Sequence, residues 1–407
     1  MLHIVAGIHD GRTAPRIPYI EIMRKWLLPE YIDDLLPAEA ESVERIRRRL
    51  LDHFALHGYR LVRPPLLEHL ESLLTGTGRE LDLYTFKVVD QLSGRLLGLR
   101  ADTTLQVARI DAHLLNADGI TRLCYAGSVL HTRPMGLGQT REVMQVGAEL
   151  YGHVGIAADR EVLRLMLSSL TLLGVPRIHL DLGHVGVFRA LVADAAVDSD
   201  AASEFFAAMR AKDIPRIGEL ARGLPAASAR TLLALPELYG EAHAVLARAR
   251  AVLPALPEIT GALADLRSLV DSIDGAGIAV QVDLAELRDL DYHNGVVFSA
   301  YAEGHSVAIG RGGRYDNIGA AFGRARPATG FSLNPRQLAE WVPGTAPRQG
   351  VLAPDTDDPV LHAAIEKLRA AGETVVTAIE GDNAEPRAHG CDRRLACVDG
   401  AWQIQPA

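Results

Sequence analysis

The stretch VMQVGAELYG, residues 143–152, carries Gln145 and Glu149 four positions apart. In an extended strand successive side chains alternate between faces, so both project from the same side of a sheet. Two further strand-like runs lie upstream, RLLGLRAD at 95–102 and RLCYAGSVL at 122–130, and no helix is read between the three. Such a succession favours an antiparallel sheet.

Upstream, Val43, Ile46, Leu50, Leu51 and Phe54 recur at helical spacing across 38–59, with Glu44, Arg47, Arg48 and Arg49 on other faces. Gly58 ends that helix, and YRLVRPP at 59–65 reads as a strand halted by Pro64 and Pro65, which cannot donate to a ladder. Downstream, DREVLRLMLSSLTLLG (159–174) reads as a helix and RIHLDLGHV (177–185) as a strand. Residues 185–272, rich in Ala, Leu and Arg, are expected to form a helical insertion. Strands return at GIAVQVDL, GVVFSAY, SVAIGRGG and ATGFSLN, and a helix begins near Pro335. After the linker VPGTAPRQG comes VLAP, a helix over 359–372, a strand at ETVVTAI and a short end.

The expected organisation is therefore a large domain over 23–342 and a small α/β module over 350–407, since 407 residues exceed what one core of roughly 250 to 300 residues holds. Residues 1–22 show no clean period, and Met23 precedes a coherent opening, so translation is expected to start there. A formal net charge of −9 argues against a dominant cationic face for nucleic acid. Cys124, Cys391 and Cys397 form neither a disulfide framework nor a zinc spacing, so no metal and no cofactor is expected. That usage fits the cytoplasm, and no run of about 18 apolar residues suggests a membrane span.

Taken in order, DLLP at Asp34, the unit ending at Pro65, LYTF at Leu83, LRADTT at Leu99, RPMGLGQTREVMQVGAELYG, RDLDYHNGVVF at Arg288, GRGGRYD at Gly310 and GFSLNPRQL at Gly330 resemble the histidyl-tRNA synthetase pattern. The resemblance implies an α+β, class II aminoacyl-tRNA synthetase-like fold: an antiparallel sheet flanked by helices, with the strand ending at Pro65 in a dimer interface. It also implies a histidine pocket made by Asp102, Thr104, Gln145, Glu149, Arg288, Tyr292, His293 and Tyr315. Two of these depart from the family: Asp102 replaces its usual Glu, and His293 follows Tyr292 where the family writes a second tyrosine.

The activation residues depart further. His131 and Thr132 occupy the places of the family's second-motif arginine and glutamate, and Gln337 that of the arginine that clamps ATP. Arg336 stands one step away, facing elsewhere on a helix, and Asn334 replaces a small residue. Losing one charged donor to a developing oxyanion costs roughly 10²- to 10³-fold in rate, so adenylation is not expected and no residue is assigned a catalytic role. The C-terminal module is shorter than the family's anticodon-binding domain, and its one aromatic is Trp402, so tRNA recognition is not expected either.

This combination resembles the ATP phosphoribosyltransferase regulatory subunit family. The resemblance implies a dimer within a hetero-oligomer, a short-form catalytic subunit as partner, L-histidine as effector, and a role in the first step of histidine biosynthesis and its feedback. The rival readings are a divergent active histidyl-tRNA synthetase and a histidine sensor for another target.

Overall fold

The computed structural model describes residues 27–75, 79–136, 139–273, 277–287, 292–342, 350–381 and 385–407. The proposed extension over 1–22 lies outside them. The chain divides into two units, Met1–Val342 and Pro343–Ala407.

The first unit is built on a nine-stranded sheet. Its strands are β1 (Arg60–Leu61), β2 (Thr121–Leu130), β3 (Glu142–Tyr151), β4 (Ile178–His184), β5 (Tyr239–Glu241), β6 (Ile278–Asp283), β7 (Val296–Ala302), β8 (Gly310–Arg314) and β9 (Ala328–Leu333). Their order across the sheet is β1-β2-β3-β9-β8-β7-β4-β6-β5. Most neighbours are antiparallel, but β1 runs parallel to β2 and β4 parallel to β6. A parallel pair needs a long crossover. The helical insertion supplies one between β4 and β6, and 59 residues separate β1 from β2.

The expectation of helix-free succession is corrected at this second crossover. It contains helix α2 (Thr104–Arg109), extended by a π-helical turn at Ile110–Leu115. The expected strand at 59–65 is corrected as well, for only Arg60 and Leu61 pair as a strand. Beyond them the proline carbonyls are met by side chains: Arg100 donates to the Pro64 carbonyl at 3.0 Å and Gln106 to that of Pro65 at 2.8 Å. The insertion is helical as read, from Val185–Asp194 through Pro257–Val270, but it also carries the short edge strand β5.

Two helices cover one face of the sheet. Along α1 (Pro37–Leu56) the buried positions Val43, Ile46, Leu50 and Phe54 form one stripe, and Gly58 follows the helix at φ +82°, a conformation that costs a glycine little. Phe54 meets Phe331 of β9 edge to face, with ring centroids 5.6 Å apart. Helix α3 (Ile156–Leu172) buries Val162, Leu163, Met166 and Leu170 in the same core, which also takes Val146, Ala148 and Leu150 of β3. The alternate β3 residues therefore point to the opposite face, where Tyr125, Tyr151 and Tyr315 form a second, smaller cluster beside a cavity.

The second unit has four strands in the order 375–377, 350–353, 391–398, 401–406, the first three parallel and the last closing an antiparallel hairpin. One helix, Pro359–Ala370, packs Leu361 and Ile365 onto Val351, Val375 and Leu395. Trp402 packs against this core and donates through Nε1 to Asp358, the residue that caps the helix, at 2.7 Å. The aromatic is committed to holding the module together.

Candidate functional site

A cavity of about 600 Å³ opens on the tyrosine side of the sheet. Its floor comes from β3. Gln145 accepts from the Thr103 amide at 3.1 Å and donates through Nε2 to Asp102 Oδ1, also at 3.1 Å, so one side chain joins β3 to the turn that starts α2. The Thr104 amide leans on the same carboxylate at 3.4 Å, and the Thr104 and Tyr125 hydroxyls lie 3.3 Å apart.

Two turns of the pleat further along, Glu149 is 1% exposed and accepts a hydrogen bond from the Tyr315 hydroxyl. The backbone makes room for it: Gly330 is the register partner of Glu149, and a Cβ there would collide with Glu149 Oε2. Tyr292 stacks on Tyr315 with centroids 5.1 Å apart, and His293 lies edge-on to Tyr292 at 4.7 Å. Seven of the eight expected pocket residues, Asp102, Thr104, Gln145, Glu149, Tyr292, His293 and Tyr315, thus line one cavity. The eighth, Arg288, lies outside the described residues.

Burial pushes the Glu149 carboxyl up to about 8, opposed by the Tyr315 hydrogen bond and reinforced by the negative charge of Asp102. At neutral pH Glu149 is mostly protonated. Burial likewise holds the hydroxyls of Tyr125, Tyr151 and Tyr315 well above their ordinary range, so these remain hydrogen-bonding groups without charge. A cationic ligand atom placed between Asp102 and Glu149 would lower the Glu149 pKa and expel its proton.

The other end of the cavity is lined by His131, Gln139, Asn334 and Gln337. His131 is 8% exposed; its Nε2 donates to the Ala101 carbonyl at 2.9 Å, and its Nδ1 has no hydrogen-bond partner among the described residues. Burial lowers its pKa, so the ring is a neutral acceptor at this wall. Thr132 donates to the Leu83 carbonyl at 2.6 Å. Arg133 covers the Tyr84 ring at 4.8 Å, and Arg336 turns to Glu39 at 2.9 Å and Asp33 at 3.6 Å, neither arginine lining the cavity.

Two cations that do line it were missed by sequence reasoning: Arg311, and Arg210 at the end of the insertion helix Ser199–Arg210. Arg311 had a signal. It stands four before Tyr315 in GRGGRYD, on strand β8, so the alternation that joined Gln145 to Glu149 joins this pair too. Arg210 had none, since only the packing of the insertion brings it there. Among the described residues no group of three His, Cys, Asp or Glu side chains could hold a metal ion. No helix among them is long and apolar enough to cross a membrane.

Comparison with known proteins places these features. Residues 31–338 match the sequence family described as histidyl-tRNA synthetase. A histidyl-tRNA synthetase structure from Nostoc sp. PCC 7120 superposes with a TM-score of 0.74, covering 94% of this chain and 97% of that one at 16% identity, a likeness of fold. The first unit is thus a class II aminoacyl-tRNA synthetase-like domain of the histidyl type.

Residues 348–405 match a second family, the ATP phosphoribosyltransferase subunit HisZ C-terminal domain. Over 384 residues the chain is 55% identical to an ATP phosphoribosyltransferase regulatory subunit of Burkholderia cenocepacia, covering 94% of this chain and 100% of that protein. It is 54% identical to one of Ralstonia nicotianae, covering 94% and 99%. A structure from Bacillus halodurans described as an ATP phosphoribosyltransferase regulatory subunit/histidyl-tRNA synthetase gives a TM-score of 0.78 at 28% identity, covering 89% of this chain and 95% of that one. The chain belongs to the ATP phosphoribosyltransferase regulatory subunit family.

Proposed function

We propose that this chain is the regulatory subunit of an ATP phosphoribosyltransferase, serving the first step of histidine biosynthesis in the cytoplasm, and that its cavity binds L-histidine as feedback effector. It acts as a dimer within a hetero-oligomer whose short-form catalytic subunit performs the transfer, and it carries no chemistry of its own. Asp102 and Gln145 receive the α-ammonium, Glu149 and Tyr315 meet the imidazole, and Thr104, Tyr292 and His293 shape the wall. Arg288 belongs to the histidine-binding set by resemblance.

One observation carries the reading. The amino-acid end of the cavity keeps a connected polar network on Asp102, Gln145, Glu149 and Tyr315, whereas the end where ATP would lie presents a neutral His131 and an uncharged Gln337, with Arg336 paired to Glu39. A ligand regulates a distant site only if it binds two arrangements of the complex unequally; a coupling of about 1 to 3 kcal/mol, or 5- to 150-fold, is ordinary.

The test is a co-purified complex of this chain with a short catalytic subunit, assayed for phosphoribosyl transfer across a histidine titration. Wild type should be inhibited, and Glu149→Ala should keep the complex and its basal rate while losing inhibition. Equal inhibition of the two would move the sensing site to the catalytic partner.

A further inference from the structure

A second cleft of about 560 Å³, sharing no lining residue with the first cavity, lies where three helices meet. Arg160 and Arg164 face it from α3, one turn apart, Arg250 from the helix Ala242–Val252, and Arg267 from the helix Pro257–Val270. Four guanidinium groups on one cleft stand out in a chain of formal charge −9. Among the described residues the only carboxylate lining it is Asp271, already taken by Arg267 Nε at 2.7 Å. Like charges so grouped repel one another unless an anion joins them.

The guanidinium groups are held rather than loose. Arg160 Nη2 donates to Ser268 Oγ at 2.7 Å, and Arg164 Nη2 to the Ser272 carbonyl at 3.1 Å, which also meets the negative pole at the end of that helix. Arg250 makes neither ion pair nor hydrogen bond through its side chain among the described residues, so its donors remain open to the cleft. Arg160 Nε is also without a hydrogen-bond partner, but it is enclosed by the fold.

We propose that this cleft binds a phosphate-bearing anion of two or more phosphoryl groups. Planar guanidinium forks match phosphate oxygens in pairs, and several forks from separate helices suit an anion with several oxygens. A protein partner fits less well, because among the described residues the only apolar one in the lining is Ala264 and a stable interface needs a buried apolar or aromatic anchor. The same lining offers, among the described residues, no aromatic ring on which a base of single-stranded RNA could stack.

The proposal is tested on the full chain by calorimetry with inorganic tripolyphosphate at low ionic strength, where exposed charges are least screened. Arg164→Ala with Arg250→Ala is the key variant: both residues are exposed, so the fold should survive, and unchanged thermal melting with unchanged L-histidine binding verifies this. The wild type should bind, less tightly as salt rises, and the double variant should lose roughly 10- to 100-fold in affinity. ATP in a parallel arm separates the sources: tighter binding than tripolyphosphate, lost in the variant, assigns a nucleotide, and equal binding lost in the variant assigns the polyphosphate itself. The proposal is overturned if the wild type binds neither, if the variant binds like wild type, or if a polyglutamate peptide or single-stranded RNA binds this cleft more tightly than tripolyphosphate.

Discussion

The two ends of the cavity are built from the same sheet and have opposite electrostatic character. At the β3 floor the polar side chains are joined in a network: Gln145 serves Asp102 and Thr103, and Tyr315 serves Glu149. At the other end His131 presents a bare Nδ1 and Gln337 a neutral amide, while Arg133 stacks on Tyr84 and Arg336 pairs with Glu39. A lone-pair acceptor where a phosphate needs a donor is the wrong polarity as well as a missing charge. Recognition of a small ligand and activation of it are therefore separable in this fold, because they rest on different strands and helices.

The largest expected effect follows from the second end. If each missing donor costs roughly 10²- to 10³-fold, two together place histidine-dependent ATP–pyrophosphate exchange about 10⁴- to 10⁶-fold below an active enzyme. The purified chain should show exchange at the level of a heat-treated control. Exchange well above that would break the contrast and would mean that Arg311 or Arg210 does the work assigned elsewhere to the lost arginines.

The next effect tests the first end through stability. A folded-state pKa of about 8 for Glu149, above the ordinary 4.5, means that folding favours the protonated form. That stabilisation is complete below the ordinary pKa, weakens as pH rises between the two values, and is gone above about 8. Glu149→Gln cannot ionise, so without ligand its stability should gain on wild type between pH 5 and pH 9, by on the order of 4 kcal/mol at ~1.4 kcal/mol per pH unit. Denaturant unfolding at several pH values measures this, and a pH-independent difference would show that the Glu149 carboxyl is solvated.

A smaller effect concerns the ligand. Removing the bridge with Gln145→Ala should weaken L-histidine binding by roughly 1.5 to 3 kcal/mol, since Asp102 loses the donor that orients it. Wild-type binding at pH 7 should also release protons, as the incoming cation ionises Glu149. Calorimetry in two buffers of different ionisation enthalpy reads that release, and identical heats would contradict it.

Part of the cavity was legible in the sequence for a physical reason: Gln145 and Glu149 sit on a strand whose two-residue period is visible in VMQVGAELYG, whereas Asp102, Thr104, Tyr292, His293 and Tyr315 lie off the strands and came from the family resemblance. The same period runs through Arg311, but alternation alone does not say which face of GRGGRYD meets a cavity. Helix α2 was hidden because TLQVAR is too short to show a 3.6-residue period. The parallel pairings were hidden because they depend on crossovers, which strand patterns do not encode. Arg210 and the arginine cleft at Arg160, Arg164, Arg250 and Arg267 exist only once the insertion packs against α3.

The smallest expected effect separates a residue's charge from its use. Arg336 is adjacent in sequence to the position where the family holds its phosphate clamp, so a shift of one residue in the short helix Pro335–Leu338 would bring it toward the cavity. The helix is fixed against that shift, for Asn334 caps it by accepting from the Arg336 amide at 3.0 Å, and Leu338 is fully buried. The guanidinium instead spans to Glu39 and Asp33, partly exposed partners whose contribution at a surface is about 0 to 1 kcal/mol. Arg336→Gln should therefore lower stability by less than about 1 kcal/mol and leave L-histidine affinity unchanged. Gln337→Arg in the same background adds a cation to the cavity wall and should introduce weak ATP binding, read by calorimetry, without pyrophosphate exchange, because His131 still faces the phosphates as an acceptor. If Arg336→Gln itself altered ATP or histidine binding, the two ends of the cavity would share this arginine, and the separation of recognition from activation would fail at that residue.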